Sequence, residues 1–293
     1  MFSIRAPRLT RPLLILLAGV VALSGLLFAS SLAGSAHAAT TLTGRAGVAA
    51  DTSGPKPTIV LVHGAWADSG SWNAVTALLQ HEGYTVYAPP NPLLGLTTDT
   101  AALTDFLQSI TGPIVLVGHS YGGEVITNAA DGDSQVKALV YDDAYLPAKG
   151  EDLQGLTTAG SCFYLPASEE STVFNFGPFP GSPSGDVAYV KQSVFPGCFA
   201  NGLPASEAAV LAATQRPLAT NAFTDPSGTP AWATIPSWDI IGMNDHVVTP
   251  AEQLFMAHRA HAHITEVNAP HLSMISNPGV VASVIIQAAQ ATG

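Results

Sequence analysis

From residue 57 onward, short apolar runs alternate with stretches of helical spacing. Thr58-Ile59-Val60-Leu61-Val62 is wholly apolar after its first residue and stops at His63-Gly64, which predicts a buried strand. Trp72 to Glu82 has the spacing of a helix, with Gly83 placed to end it. Thr85 to Ala88 reads as a second strand closed by Pro89-Pro90, and Thr98 to Ile110 as a second helix. Pro113 to Val117 is a third strand, and the helix after it opens at Ser120. Further strands are predicted at Val136 to Tyr141, Trp238 to Ile241 and His263 to Val267, with helices over Pro250 to His261 and Pro278 to Ala289. Strands alternating with helices imply an α/β fold, a mainly parallel sheet covered on both faces.

The alternation breaks once. Residues 147–235 hold both cysteines, many prolines and the Gly/Pro/Phe-rich run Phe174 to Gly185. Nothing there continues the sheet, so the stretch reads as a cap inserted into a core made of 57–146 and 236–293. Phe163, Tyr164, Phe174, Phe176, Phe179 and Phe195 are candidates to line an apolar pocket under the cap, or else to form the cap's own core.

The start of the chain follows a different pattern. Arg5, Arg8 and Arg11 precede a nearly continuous apolar stretch, Leu13 to Ala29, and Ala36-His37-Ala38 is a small-residue cleavage site. Residues 1–38 are expected to be a secretory signal, with an uncleaved membrane anchor as the alternative. Residues 39–56, small and rich in Gly and Thr, read as a flexible arm. A secreted protein with no membrane attachment after cleavage is the expectation.

The formal net charge is −11, with only 10 Lys and Arg. The three arginines of the signal leave on cleavage, which makes the remainder more acidic still and a poor nucleic-acid binder. Cys162 and Cys198 both lie in the exported part, where oxidation is allowed, so a disulfide between them is expected. Oligomeric state is not written in the sequence.

Candidate chemistry gathers where strands end, as it does in parallel sheets. Gly118-His119-Ser120-Tyr121-Gly122 matches G-x-S-x-G between a strand and a helix, the context of a nucleophile elbow. A serine hydroxyl needs a base, and the base needs a group that fixes its tautomer. His271, after the last strand, is the candidate base. Asp245, after the fifth strand, is the candidate acid; Asp142 and Asp143, after the fourth, are its rivals, with Asp239 a weaker choice. The backbone N–H groups of Tyr121 and Ala65 are candidate oxyanion donors, with Trp66 in place of Ala65 as a variant. His258, His261 and His263 span a helix end and a strand start, so they need not converge on a metal.

Taken together, VLVHGAW, GHSYGG, the aspartate of GMNDHVVTP and the histidine of NAPHLSM resemble the alpha/beta-hydrolase fold. More narrowly, they are similar to the small serine esterases grouped with plant hydroxynitrile lyases and salicylate-type methyl esterases. The resemblance implies a carboxylic ester hydrolase with triad Ser120, Asp245 and His271, a small-molecule ester or lactone substrate, and no cofactor or metal. Two departures separate the chain from the lyases. Leu272 follows His271 where the lyases carry lysine, and Gly64 stands where they carry a threonine. A lyase or perhydrolase using the same triad, and a ligand-binding protein that keeps the fold without catalysis, are the alternatives.

Overall fold

The computed structural model describes residues 56–292. The expected signal (1–38) and all of the expected arm but Lys56 lie outside the described residues. Six strands form one parallel sheet: β1 (Thr58–Val62), β2 (Val86–Tyr87), β3 (Ile114–His119), β4 (Val136–Asp142), and, after a long interruption, β8 (Ser237–Gly242) and β9 (His263–Val267). Their order across the sheet is β2-β1-β3-β4-β8-β9. This is the mainly parallel α/β sheet that the sequence predicts.

Sequence and position in the sheet agree strand by strand. β3 and β8 are buried at every residue, as central strands covered on both faces must be; β3 opens with a continuous apolar run, whereas β8 also buries Ser237 and Asp239. The edge strands are weaker. β2 is only two residues long, and β9 buries Val267 alone. Thr85 and Ala88, expected in β2, fall outside it: Pro89-Pro90 cannot extend a ladder, and the strand has a single neighbour, β1.

Two helix pairs cover the sheet. α2 (Leu96–Gln108) packs on α3 (Tyr121–Ala129), and α1 (Asn73–His81) on α9 (Pro278–Thr292). α9 buries Val281, Val284, Ile285 and Ala288, a helical stripe that meets β4 and β8. α7 (Pro250–Arg259) starts where the sequence signals it. Thr249 accepts the Glu252 N–H at 3.3 Å, and Pro250 takes the first helical position.

Between β4 and β8 the chain adds nothing to this sheet. It folds into short helices α4 (Leu153–Leu156), α5 (Glu170–Val173) and α6 (Ala205–Thr214), and a separate antiparallel sheet β5-β6-β7 (Phe174–Pro178, Asp186–Val190, Leu218–Ala219). Cys162 and Cys198 are disulfide-bonded within it, with Cα atoms 5.8 Å apart. Among the described residues no helix is long and apolar enough to cross a membrane.

Candidate active site

All six strands run the same way, so the residues that follow them gather on one edge. Ser120 sits between β3 and α3 with φ 52° and ψ −125°, a left-handed backbone that a non-glycine residue holds only when its surroundings impose it. The turn is tight enough that a Cβ on Gly122 would lie 2.6 Å from the Val62 carbonyl oxygen. This close approach of α3 to β1 explains the glycine.

The three residues expected to work together converge. The Nε2 of His271 lies 3.1 Å from the Ser120 hydroxyl, and its Nδ1 lies 2.8 Å from Oδ2 of Asp245. All three are buried, His271 completely. With Nδ1–H donating to the carboxylate, Nε2 is left as an acceptor facing the serine.

Asp245 is held from every side. Its Oδ1 accepts the N–H groups of Val247 (2.7 Å) and Val248 (3.1 Å). Oδ2 accepts from the Gln253 amide at 2.8 Å as well as from His271. Gln253, on α7 and fully buried, also donates to the Val248 carbonyl at 2.7 Å, so it fixes the acid loop and the carboxylate together. No local sequence signal marks this glutamine; only its place on α7 above the acid loop does.

The rival acids lie elsewhere. Neither Asp142 nor Asp143 reaches the His271 ring. Asp142 accepts the Ser273 hydroxyl at 2.5 Å; Asp143 accepts the N–H groups of Gly242 and Ser273. Asp239, inside β8, is fully buried with neither oxygen hydrogen-bonded. Burial pushes Asp142 up to about 7, and drives Asp143 and Asp239 well above the usual carboxylate range.

The two histidines beside the site brace it. His119 donates from Nε2 to the backbone carbonyl of His271 at 2.9 Å, and its ring lies 4.7 Å from the His271 ring. Burial drives its pKa well below 6.5, so it stays neutral. His63 donates from Nδ1 to the Gly64 carbonyl and accepts the Asn91 N–H at 3.0 Å, and burial lowers it to about 4. His258, at the end of α7, and His263, in β9, sit in separate elements; His263 stacks on Trp238 at 4.9 Å. Among the described residues no group of three or more His, Cys, Asp or Glu is placed to hold a metal ion.

The candidate oxyanion residues flank the serine. Tyr121 is the first residue of α3, so its N–H has no acceptor within the helix. Ala65 lies in the loop after β1, and Ala65, Tyr121 and Ser120 share the wall of one cavity of about 510 Å³. The phenolic hydroxyl of Tyr121 points away, donating to Asp99 at 2.7 Å.

Four of the six aromatic candidates, Phe163, Tyr164, Phe174 and Phe176, line that cavity. The other two do not. Phe195 is fully buried against Phe199 at 4.9 Å, and Phe179, half exposed, lies beyond the end of β5. The residue that organises these rings is not one of the six but Trp66, expected only as an alternative oxyanion donor. Trp66, with φ 55°, sets its indole against Phe163 (5.0 Å), Phe174 (5.5 Å) and Phe223 (6.1 Å), and donates to the Ala188 carbonyl of β6 at 2.9 Å. A tryptophan next to the oxyanion loop is visible in the sequence, but the residues it meets lie up to 157 positions away.

Comparison with known proteins agrees with this architecture. A model of the alpha/beta hydrolase family matches residues 59–284. A carbendazim hydrolyzing esterase of Nocardioides sp. (strain SG-4G) is 34% identical over 110 residues, which cover 33% of this chain and 46% of that protein. A pyrethroid hydrolase of Sphingobium wenxiniae is 34% identical over 106 residues, covering 31% and 37%. The chain thus matches less than half the length of these curated relatives. Among solved structures, a pyrethroid hydrolase from Sphingobium faniae JZ-2 superposes with a TM-score of 0.62 at 24% identity, covering 80% of this chain and 98% of that one. An extracellular alpha/beta-hydrolase from a Paenibacillus species gives 0.67 at 19% identity, covering 79% and 98%. A family match over most of the chain, on a parallel sheet whose strand ends carry a serine elbow, an aspartate and a histidine, makes this protein a member of the alpha/beta hydrolase family.

Proposed function

We propose that the protein is a secreted serine esterase that cleaves carboxylic esters of apolar, aromatic-bearing small molecules, lactones included, through Ser120, His271 and Asp245. The observation that carries this reading is the unbroken chain from hydroxyl to imidazole to carboxylate, 3.1 Å and 2.8 Å, opening on an aromatic cavity. The names of the relatives, esterase and pyrethroid hydrolase, support the same reaction class.

In the first half-reaction the Ser120 Oγ attacks the ester carbonyl while its proton passes to Nε2 of His271. The carbonyl electrons move onto oxygen, and the N–H groups of Tyr121 and Ala65 stabilise that charge. Collapse of the adduct breaks the bond to the alkoxy group, which takes the proton from His271 and leaves as alcohol. In the second half-reaction water gives a proton to His271 and attacks the acyl-enzyme. The proton then returns to Ser120 as the carboxylic acid departs. Asp245 keeps Nδ1 protonated throughout and stabilises the imidazolium.

Two features favour hydrolysis over cyanohydrin cleavage. A Cβ on Gly64 would lie 2.7 Å from both the His119 carbonyl oxygen and the Ser120 Cβ, so a threonine does not fit there. The residue after His271 is Leu272, buried and uncharged. Export is supported by the Cys162–Cys198 disulfide, which suits an oxidising compartment.

The test is labelling with a fluorophosphonate probe and peptide mapping, followed by a panel of p-nitrophenyl esters, aryl esters and lactones. Modification at Ser120 with turnover of the esters is expected. Labelling elsewhere, or tight retention of substrate without turnover, would sink the esterase reading in favour of a different nucleophile or a binding protein.

A further inference from the structure

Asp143 is fully buried, and its backbone has φ 49°, an imposed left-handed conformation. It sits one residue past β4, where its own N–H donates to the Ile240 carbonyl of β8 at 2.9 Å. Its carboxylate divides its two oxygens between two other segments. Oδ1 accepts the Gly242 N–H at 2.7 Å, and Oδ2 accepts the Ser273 N–H at 3.1 Å. Gly242 ends β8 three residues before Asp245, and Ser273 follows His271 by two. One side chain on a third strand therefore ties the segment that carries the acid to the segment that carries the base. Two buried hydrogen bonds from one side chain to two backbone N–H groups have no water to compete with them, so they resist displacement.

We propose that Asp143 is a positioning residue that sets the register between the Asp245 loop and the His271 loop, so that one imidazole can reach both Asp245 and Ser120. The proposal rests on the serine-hydrolase reading of the site. The two loops also meet directly, the Asn244 N–H donating to the Ala269 carbonyl at 3.0 Å, and the His271 carbonyl accepts from His119. Asp143 adds a second link, which ties both loops through one side chain to the end of β4.

Two substitutions at Asp143 and two at Ser273 test it. Asp143→Ala removes both acceptors, and kcat on a p-nitrophenyl ester falls about 100-fold, the cost of a misplacement near 1 Å, with KM unchanged. Asp143→Asn keeps one acceptor oxygen and falls between Asp143→Ala and the wild type. Ser273→Pro deletes the donor at the first position of α8 (Ser273–Ser276), where proline suits the backbone, and loses kcat. Ser273→Ala keeps the N–H and loses less than Ser273→Pro. Asp239→Asn alters a buried, unbonded carboxylate and leaves kcat at the wild-type value.

The rate of fluorophosphonate labelling at Ser120 is measured in parallel, with melting temperature, and the labelling rate falls with kcat. Wild-type kcat and labelling in Asp143→Ala would overturn the proposal. So would equal losses in the two Ser273 variants, or a loss in Asp239→Asn matching that in Asp143→Ala. If neither Asp143 variant folds, the Ser273 pair decides. If the wild type labels at Ser120 yet turns over no ester, the esterase reading fails while the labelling rates still decide the role of Asp143.

Discussion

The six-stranded core and the segment between β4 and β8 build one site by opposite means. The core places polar groups by backbone geometry: each strand end delivers one side chain to the same edge, and the loops beyond the strands are pinned by buried hydrogen bonds. The intervening segment places apolar surface by side-chain contact. Its sheet is small and antiparallel, its helices short, and near the site its contacts with the core include Trp66 and the disulfide-linked stretches, while hydrogen bonds such as Arg259 to Glu151 and Arg216 to the Asn91 carbonyl hold it elsewhere. Cys162 donates its N–H to the His246 carbonyl at 2.8 Å, and Ser161 its hydroxyl to the Val247 carbonyl at 2.6 Å, so one end of the disulfide rests on the acid loop. Phe199, next to the other cysteine, lies edge-on to the His271 ring at 5.1 Å. The lesson is a division of labour: the core sets the chemistry, and the inserted segment sets the shape of what reaches it.

That division makes distinct demands on substitutions. Ser120→Ala tests the core's part most severely. It should lower kcat by about 10⁶-fold with little change in melting temperature, because only the nucleophile is lost. Near-wild-type turnover would mean that the elbow is not where the reaction starts. Trp66→Ala tests the joint between the two regions. Loss of a buried indole and its contacts should cost about 3–5 kcal/mol in denaturant unfolding. In kinetics, kcat/KM for a bulky aryl ester should fall much further than for an acetate ester. Equal losses on both substrates would show that the tryptophan acts on the chemistry and not on shape.

Selective reduction of Cys162–Cys198 should destabilise by about 2–4 kcal/mol, read from urea midpoints with and without reductant. An unchanged midpoint would show that the cap holds without its covalent link. The smallest effect concerns pH. His63 is held near 4 in the folded chain against 6.5 when free, so the unfolded state binds the proton more readily between those values. The contribution of His63 is complete above pH 6.5 and is lost as pH falls toward 4, by at most about 3 kcal/mol. The stability advantage of the wild type over His63→Asn should shrink across that window. An advantage constant from pH 7 to 4 would contradict the buried neutral imidazole. The comparison with the variant is needed because Asp142 and Asp99, raised to about 7 and about 6, favour the folded state in the opposite direction.

Much of this was readable in advance wherever the signal is local. The strands are runs of apolar residues because central parallel strands bury both faces, and the ends of β1, β3 and β8 could be placed to within two residues. Ser120 announces itself by the glycines around it, since the elbow's geometry excludes side chains there. Features set by near neighbours in the chain are therefore legible from the residues alone: the strand-helix alternation, the elbow and the polar residues at strand ends.

Choices among equivalent neighbours needed three dimensions. Asp142, Asp143 and Asp245 all lie at or beyond strand ends on the same edge. Only the turn after β8 carries a carboxylate to Nδ1 of His271, while the turn after β4 directs Asp143 to backbone N–H groups. The aromatic candidates divided in the same way, Phe174 lining the cavity and Phe195 packing beneath it, because a phenylalanine reads alike in either place until its neighbours are known. Gln253, Trp66 and Phe223 gained their parts from contacts across long stretches of chain. Periodicity records which face of an element is buried; it holds no information about which of several loops at one sheet edge will meet, because that depends on strand order and turn direction, which the packed fold alone decides.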